Sequence, residues 1–455
     1  MSAQALPLLP AAPADQVVAF HAGQAITQAS FLRDVLANAQ RITPDQPVLN
    51  LCGDRYFFAV GLYAAMLRRA MCLLPNSVTP ETLARLQTAH PGLQALIEPD
   101  GQARGLPALI LQRELAGPVP DSMPVVPAEQ VVARLYTSGS TGEPQAHDKS
   151  WGKLWANVRL AARAQWARAG RPCAVVSTVP SQHMYGFESA VLLPLLGGGI
   201  LMPRHPFFPA DVVEALAATP EPRALVSTPF HLRTLVESGL SLPTTQLVIC
   251  ATAPLSTELA ERVEQATGGV LGEIYGSTET GQIATRRPAN SPVWECFDDV
   301  KLQQDAPEQG GRTWADGGHL EAAMPLGDII ELQPASANGN VRFTLHGRLS
   351  DMINIAGKRT SIAFLNSVLC SVPGVEDGIF HLPEEAPADG VARLAAFAVA
   401  PTLDAPQILA ALRERIDAVF LPRPLIVVAS LPRNTTGKLP RAVLENLLGT
   451  SGKPA

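Results

Sequence analysis

Four short segments concentrate the residues that can do chemistry. The first is Leu135-Tyr136-Thr137-Ser138-Gly139-Ser140-Thr141-Gly142-Glu143-Pro144, where an apolar run over 131–135 passes into four hydroxyls and two glycines. Glycines let backbone N–H groups approach a phosphate closely, and hydroxyls donate to its oxygens. The pattern G-x-x-x-x-G-K-[ST] of a Walker loop is nowhere satisfied, and by composition alone the segment fits a Ser/Thr/Gly surface loop equally well. The second is Glu273-Ile274-Tyr275-Gly276-Ser277-Thr278-Glu279-Thr280-Gly281, a strand ending in a turn that carries one carboxylate. Glu279 offers the hard oxygen ligand that suits Mg2+ against a triphosphate, although a lone Glu in a turn is more often simply solvated. The third joins Pro325-Leu326-Gly327-Asp328 to Leu345-His346-Gly347-Arg348-Leu349-Ser350-Asp351 and Ile355-Ala356-Gly357-Lys358-Arg359. Asp328 sits in a loop where its carboxylate can accept hydrogen bonds from a ribose diol. The fourth, Leu431-Pro432-Arg433-Asn434-Thr435-Thr436-Gly437-Lys438-Leu439-Pro440-Arg441, places Lys438 behind a glycine in a polar loop, where a solvated basic tail is the plainer reading.

The elements that must position these segments alternate in type. Apolar runs at 173–179, 224–227 and 246–251 read as strands, and amphipathic stretches at 154–169, 210–217, 229–238 and 256–266 read as helices. Strand and helix alternating over about 150 residues predict a parallel, doubly wound α/β body. The polar, Gly-rich 303–318 reads as surface loop or hairpin. Beyond it come a strand at 340–345, a turn-rich 347–357, a helix at 361–369, strands near 378–381 and 394–400, a helix over 406–419 and a strand at 425–429. That is a small α+β unit of about 100 residues, large enough to fold alone. The expected division is therefore 1–349 and 350–455.

Composition excludes whole classes of function. The 455 residues are 47% hydrophobic and 17% charged, too apolar for disorder. The formal net charge of -6 argues against a nucleic-acid partner, which calls for a basic face. Cys52, Cys72, Cys173, Cys250, Cys296 and Cys370 form no C-x-x-C pair and read as buried thiols of a reducing compartment. The N-terminus lacks the positive region of a signal peptide, and the apolar 190–203 is too short to span a bilayer. It reads as a helix end entering a strand. The expected location is cytoplasmic, with no membrane span.

In this order and at these spacings the four segments resemble the adenylate-forming superfamily of acyl-CoA synthetases, carrier-protein adenylation domains and luciferases. The resemblance extends from about Val131 to Arg441; before it, Asn50-Leu51-Cys52-Gly53-Asp54-Arg55 and Pro75-Asn76 match faintly, and the chain is compact for the family. It implies a large N-terminal body with doubly wound mixed sheets and a small C-terminal domain that rotates between half-reactions. It implies ATP-dependent conversion of a carboxylic acid to an acyl-adenylate with release of pyrophosphate, then transfer to the thiol of CoA or of a carrier protein's phosphopantetheine. On this resemblance Thr137, Ser138, Gly139, Ser140, Thr141 and Gly142 wrap the β- and γ-phosphates. Tyr275 and Gly276 belong to the ATP site, Thr278 meets the α-phosphate and the carboxylate, and Glu279 binds the metal. Asp328 and Arg348 hold the ribose, Lys438 is the catalytic lysine of adenylation, Ser350 is the hinge, and Gly357 with Lys358 faces the thiol tunnel. Gln145 stands where the family usually has Lys.

His183, Tyr185, Gly186 and Phe187 match the segment that lines the acyl pocket, with Ala251, Ala253 and the Tyr275–Ser277 stretch as the opposite wall. Small residues there admit a flat ring and aromatic ones favour stacking on it, so an aromatic acid of hydroxybenzoate or cinnamate type is expected over a fatty acid. An amino acid fits less well, because Glu188 is the only acid near Tyr185–Phe187. The other readings are a medium-chain fatty acid ligase, a binding-only relative, a luciferase-like oxidase and a kinase-like NTPase that yields ADP. Arg423, Arg433 and Arg441 suit CoA phosphates and an acidic carrier protein alike.

Overall fold

The computed structural model describes residues 4–75, 77–138, 144–306, 311–348, 352–355, 358–383, 393–433, 439 and 441–451. It is a mixed α/β protein that parts into two compact units. One comprises Met1–Leu302, Ala315–Met324 and Pro334–Arg342, and the other Gln303–Trp314, Pro325–Gln333 and Phe343–Ala455. The sequence-expected cut after residue 349 falls inside the second unit.

Within the first unit the strand Ala174–Ser177 pairs in parallel with Ile200–Leu201 and Arg223–Ser227, and the series continues in parallel through Leu247–Cys250 and Val270–Ser277. These strands are short, apolar and buried along nearly their whole length, as a sheet covered on both faces requires. One face is covered by helices Pro209–Ala217, Pro229–Glu237 and Thr257–Thr267, through Val212, Leu216, Leu232, Leu235, Leu259 and Val263. Each such side chain removed from water is worth about 1.5–3 kcal/mol. The last of these helices starts where Ser256 accepts from the N–H of Leu259 and stops at Gly268, whose φ of +70° ends it in a left-handed turn. Leu271 faces this core, whereas its neighbour Gly272 faces Gln165 and Arg168, so helix Trp151–Ala169 covers the opposite face.

A second sheet of the same unit runs in the order Pro144–Ser150, Val131–Ser138, Cys72–Leu74, Val48–Asn50, Gln94–Ile97, Ala108–Ile110. Only its first pair is antiparallel, with Gln145 opposite Thr137, His147 opposite Leu135 and Lys149 opposite Ala133. The region before residue 131 thus supplies the inner strands of this sheet. Val17–His21 and Gln24–Thr27 form the edge of the larger one. Helix Arg55–Leu67 is nearly all buried, and Arg55 is 1% exposed. Its guanidinium donates to the carbonyls of Met202, Arg204, Ser177 and Val179, tying the helix to the ends of two strands. Burial lowers its pKa to about 10, so it remains charged at neutral pH. The 190–203 stretch is a π-turn (Phe187–Leu192), a short helix (Leu193–Gly197) and a strand (Ile200–Leu201), the expected helix end entering a strand.

The second unit has its own core of Leu365, Leu369, Phe380, Ala396, Ile408, Leu412 and Phe420. It surrounds a sheet of Asp377–His381 antiparallel to Ala395–Val399, which runs parallel to Leu425–Val427. The helix expected over 406–419 ends at Arg413, and a separate 3-10 turn follows at Ala418–Phe420. The 303–318 stretch contributes strand residues at Val300–Gln304 and Thr313–Gly317, in line with the hairpin reading. No described helix is long and apolar enough to cross a membrane. Cys52, Cys72, Cys173, Cys250 and Cys296 are buried, and burial pushes the Cys72, Cys173 and Cys296 thiols up to about 12, too high for a nucleophile at neutral pH.

Arg433, at the base of the lysine-bearing segment, is fixed by two hydrogen bonds of 2.8 Å to the carboxylate of Asp377, while Leu431 and Leu444 pack on Phe397 and Val399. Arg433→Ala removes a half-buried bidentate pair and is expected to cost about 1–3 kcal/mol in denaturant unfolding of this unit. An unchanged midpoint contradicts the anchoring role.

Candidate active site

The best-formed constellation lies in the first unit, where two hairpins present polar residues. Strand alternation puts Gln145, His147 and Lys149 on one face of Pro144–Ser150. The other hairpin, Val270–Ser277 and Gly281–Arg286, carries the Ser277–Thr280 turn. Its base is braced by Glu273, 2% exposed, which accepts from Arg286 Nε at 2.6 Å and from the N–H of Leu255. Burial pushes the Glu273 carboxyl up to about 7 despite the adjacent Arg286.

The turn is closed by reciprocal bonds: Ser277 N donates to Thr280 Oγ1 at 3.0 Å, and Thr280 N donates to Ser277 Oγ at 3.2 Å. Both of its glycines are demanded by space. A Cβ on Gly276 would lie 2.1 Å from the carbonyl oxygen of Gly281. Gly281 itself has φ +67°, and a Cβ there would approach Asn157 Nδ2 and Glu188 Oε1 to 2.9 Å.

Glu279 is held from two directions. His147 Nε2 lies 3.4 Å from its Oε1 and 2.9 Å from Thr137 Oγ1, and Lys149 Nζ donates to its main-chain carbonyl at 3.0 Å. The Glu279 side chain keeps 30% exposure, so its carboxylate is open to a further ligand. One open carboxylate fits Mg2+, which takes one or two protein carboxylates and fills its shell with phosphate oxygens and water. Among the described residues no group of three or more His, Cys, Asp or Glu gathers to hold a metal alone. Beneath the turn, burial lowers the Lys149 pKa, while Glu188, Glu321 and Glu279 oppose that shift. Burial pushes Glu188 up to about 7, against the pull of Lys149 and a hydrogen bond with Gln282.

The expected acyl-pocket residues sit on neighbouring elements. Tyr185 and Gly186 lie in the one-turn helix Met184–Gly186, with His183 at the position before it, and Phe187 is fully buried, edge-on to Phe58. The Tyr185 hydroxyl donates to the carbonyls of Ser227 and Ile249, which directs its polar tip at the strand ends. Ala251 is buried and Ala253 exposed just beyond Leu247–Cys250. Between them Thr252 has φ +87°, a strained conformation for a β-branched residue of the kind that concentrates at functional sites.

In the second unit Asp328 opens strand Asp328–Gln333 and Arg348 closes its neighbour Arg342–Arg348. Gln333 bonds Thr344 while Glu331 bonds His346, so the strands run antiparallel, with Asp328 and Arg348 at the same end of the pair. Ser138 ends its strand and Lys358 begins Lys358–Ser361. Gly139, Ser140, Thr141, Gly142, Ser350, Gly357 and Lys438 lie outside the described residues.

Comparison with known proteins decides the family. The family model described as AMP-binding enzyme matches residues 17–310. The chain belongs to the AMP-binding enzyme family. It is 29% identical to the 4-coumarate–CoA ligase of Rhodobacter capsulatus, over 68% of this chain and 75% of that one. It is 26% identical to a feruloyl-CoA synthase of an Amycolatopsis species, over 94% of this chain and 95% of that one. Its fold matches O-succinylbenzoate coenzyme A synthetase from Bacillus subtilis, solved in complex with ATP and magnesium ion. That match has a TM-score of 0.76 at 19% identity and covers 95% of this chain and 97% of that one.

Sequence reasoning located the Glu279 turn but missed His147 and Arg55. The alternation of Gln145, His147 and Lys149 after a strand was a usable signal for the former; Arg55 entered only as the last residue of the faintly matching 50–55 segment. Burial lowers the His147 pKa, with Glu279 opposing the shift and Lys149 adding to it. The unfolded chain therefore takes up the proton first as pH falls below about 6.5, and the folded state is penalised there rather than above it. Once protonated, His147 competes for the Glu279 carboxylate. Mg2+·ATP affinity is expected to fall as the pH drops below about 6.5 in the wild type, with a flatter profile in His147→Gln by titration calorimetry. Parallel profiles contradict the role.

Proposed function

We propose that this protein is an AMP-forming acid–thiol ligase for an aromatic carboxylic acid of hydroxybenzoate or cinnamate type. A carboxylate oxygen attacks the α-phosphorus of ATP and pyrophosphate leaves; the sulfur of a pantetheine thiol then attacks the acyl carbon and AMP leaves. The observation that carries this reading is the 276–281 turn with its open Glu279 carboxylate, set by His147 and Lys149 in a chain of the AMP-binding enzyme family. Mg2+ bound at Glu279 would neutralise the charge of the departing pyrophosphate.

The chain's own residues do the rest. Attacking carboxylate and phosphate are both anions, so donors and cations must be placed before they meet. Thr137 and the following Ser138–Gly142 loop grip the phosphates, Thr278 bridges the α-phosphate and the acid, and Asp328 with Arg348 takes the ribose hydroxyls. Lys438 supplies the cation of the first half-reaction. Ser350 as pivot, and Gly357 with Lys358 at the thiol entry, belong to the same reading. An aromatic acid is supported by the 4-coumarate and feruloyl groups in the relatives' names and by the small residues Ala251, Ala253, Gly276 and Ser277, all but the first exposed. CoA is the acceptor that the relatives' names support; a carrier-protein phosphopantetheine offers the same thiol.

The test is ATP–pyrophosphate exchange over a panel of benzoates, cinnamates, octanoate and amino acids, followed by thioester formation with CoA alone. Exchange is expected with the aromatic acids, and Lys438→Ala is expected to lose about 10²–10³-fold in exchange while still forming thioester from supplied acyl-adenylate. ATP binding without exchange for any acid contradicts the reading, full exchange in Lys438→Ala removes that residue from its role, and thioester formation with CoA alone excludes an obligate carrier protein.

A further inference from the structure

Lys149 is the feature under the Glu279 turn that packing does not explain. It is 6% exposed, on a strand residue whose neighbours Ala133 and Trp151 are buried and apolar. An ammonium is costly to bury unless it is compensated, and an alkyl side chain would fill the place without that cost. The chain instead directs Nζ at one atom, the carbonyl oxygen of Glu279, at 3.0 Å.

We propose that Lys149 is a positioning residue for Glu279, with Glu188 as its buried counter-charge. The inference rests on the reading of Glu279 as the metal-binding acid and extends it to the group that sets that acid in place. The turn joins its hairpin through the paired, tightly packed Gly276 and Gly281 and is closed on itself by the Ser277–Thr280 bonds, so it is a small compact loop at the hairpin's end. A strut at Glu279 fixes its height. His147, two residues earlier on the same strand face, meets the carboxylate end, so the Pro144–Ser150 strand clasps Glu279 at both its backbone and its side chain.

Three carboxylates act on the Lys149 charge: Glu188, Glu321 and Glu279. Glu321 already accepts from the backbone N–H and the hydroxyl of Ser150, each at 2.8 Å. Glu279 faces His147. Glu188 is 2% exposed, and its Oε1 has no hydrogen-bond partner among the described residues. Burial pushes its carboxyl up to about 7, so at neutral pH it offsets the ammonium in part, while Nζ serves the carbonyl of Glu279. Asn157 completes the floor by donating to the carbonyl of Gln282 at 2.8 Å, just past Gly281.

The test replaces both charges with apolar side chains of similar length, Lys149→Met with Glu188→Met, so that neither is left buried alone. Titration calorimetry then measures ATP binding with Mg2+ and with a chelator. The double variant is expected to fold and to bind Mg2+·ATP about tenfold more weakly, the scale of one charge-assisted hydrogen bond, while metal-free ATP binding changes less than about twofold. Unchanged Mg2+·ATP affinity in a folded double variant overturns the proposal, and so does equal weakening with and without the metal. If the double variant does not fold by circular dichroism, Lys149→Arg replaces it. Its broad guanidinium fork does not reproduce a point donor in this space, so a metal-dependent loss supports the role and unchanged affinity overturns it. A wild-type protein that binds no ATP at all counts against the ligase reading; the ratio of variant to wild type decides the role of Lys149.

Discussion

On the proposed reading, the first unit's chemistry depends on one hydrogen bond, from the ammonium of Lys149 to the carbonyl of Glu279, which joins hairpins far apart in sequence. One hairpin belongs to the sheet built on 48–50, 72–74 and 94–97, the other to the sheet built on 174–177, 223–227 and 247–250. Each sheet is stable on its own apolar burial, and neither dictates where the Glu279 turn comes to rest. Gly276 and Gly281 sit in the paired residues at its base, where neither has room for a Cβ. The polar strand face of Gln145, His147 and Lys149 supplies the missing constraint, at the expense of a charge taken out of water.

A comparable device holds the region before residue 131. Arg55 carries a full charge into the interior and distributes it over four carbonyl oxygens at the ends of the 174–177 and 200–201 strands. One guanidinium gives these strand ends a common donor and locks the 55–67 helix against them. The strand ends that it stabilises lead directly into the segment containing His183 and Tyr185, while the Tyr185 hydroxyl secures two further strand ends. Buried polar side chains thus fix the geometry at the edge of a sheet whose interior is held by apolar packing alone.

Much of this was legible in the sequence, and the parts that were not have physical reasons. The parallel strands at 174–177, 223–227 and 247–250 stood out because sheets covered on both faces need continuous apolar runs, and the helices between them kept a clear polar face. The glycines of the Glu279 turn were visible as turn formers, yet their real constraint is the collision a Cβ would make with the far side of the hairpin, which only the fold displays. The 406–419 helix was drawn too long because its apolar periodicity continues past Arg413, while the chain breaks at Asp417, whose side chain accepts from the N–H of Val419 and opens a new turn. Lys149 and Glu188 carried no local signal of partnership. They are separated by helix 151–169 and a strand, and what relates them is burial under a common turn.

The central claim is that ATP is split between its α- and β-phosphates to activate an acid. The most direct measurement is separation of the nucleotide products after incubation with Mg2+, ATP, CoA and the aromatic acid that best supports pyrophosphate exchange. AMP and pyrophosphate are expected in step with the acyl thioester, with no AMP when the acid is omitted. Accumulation of ADP and phosphate would contradict it.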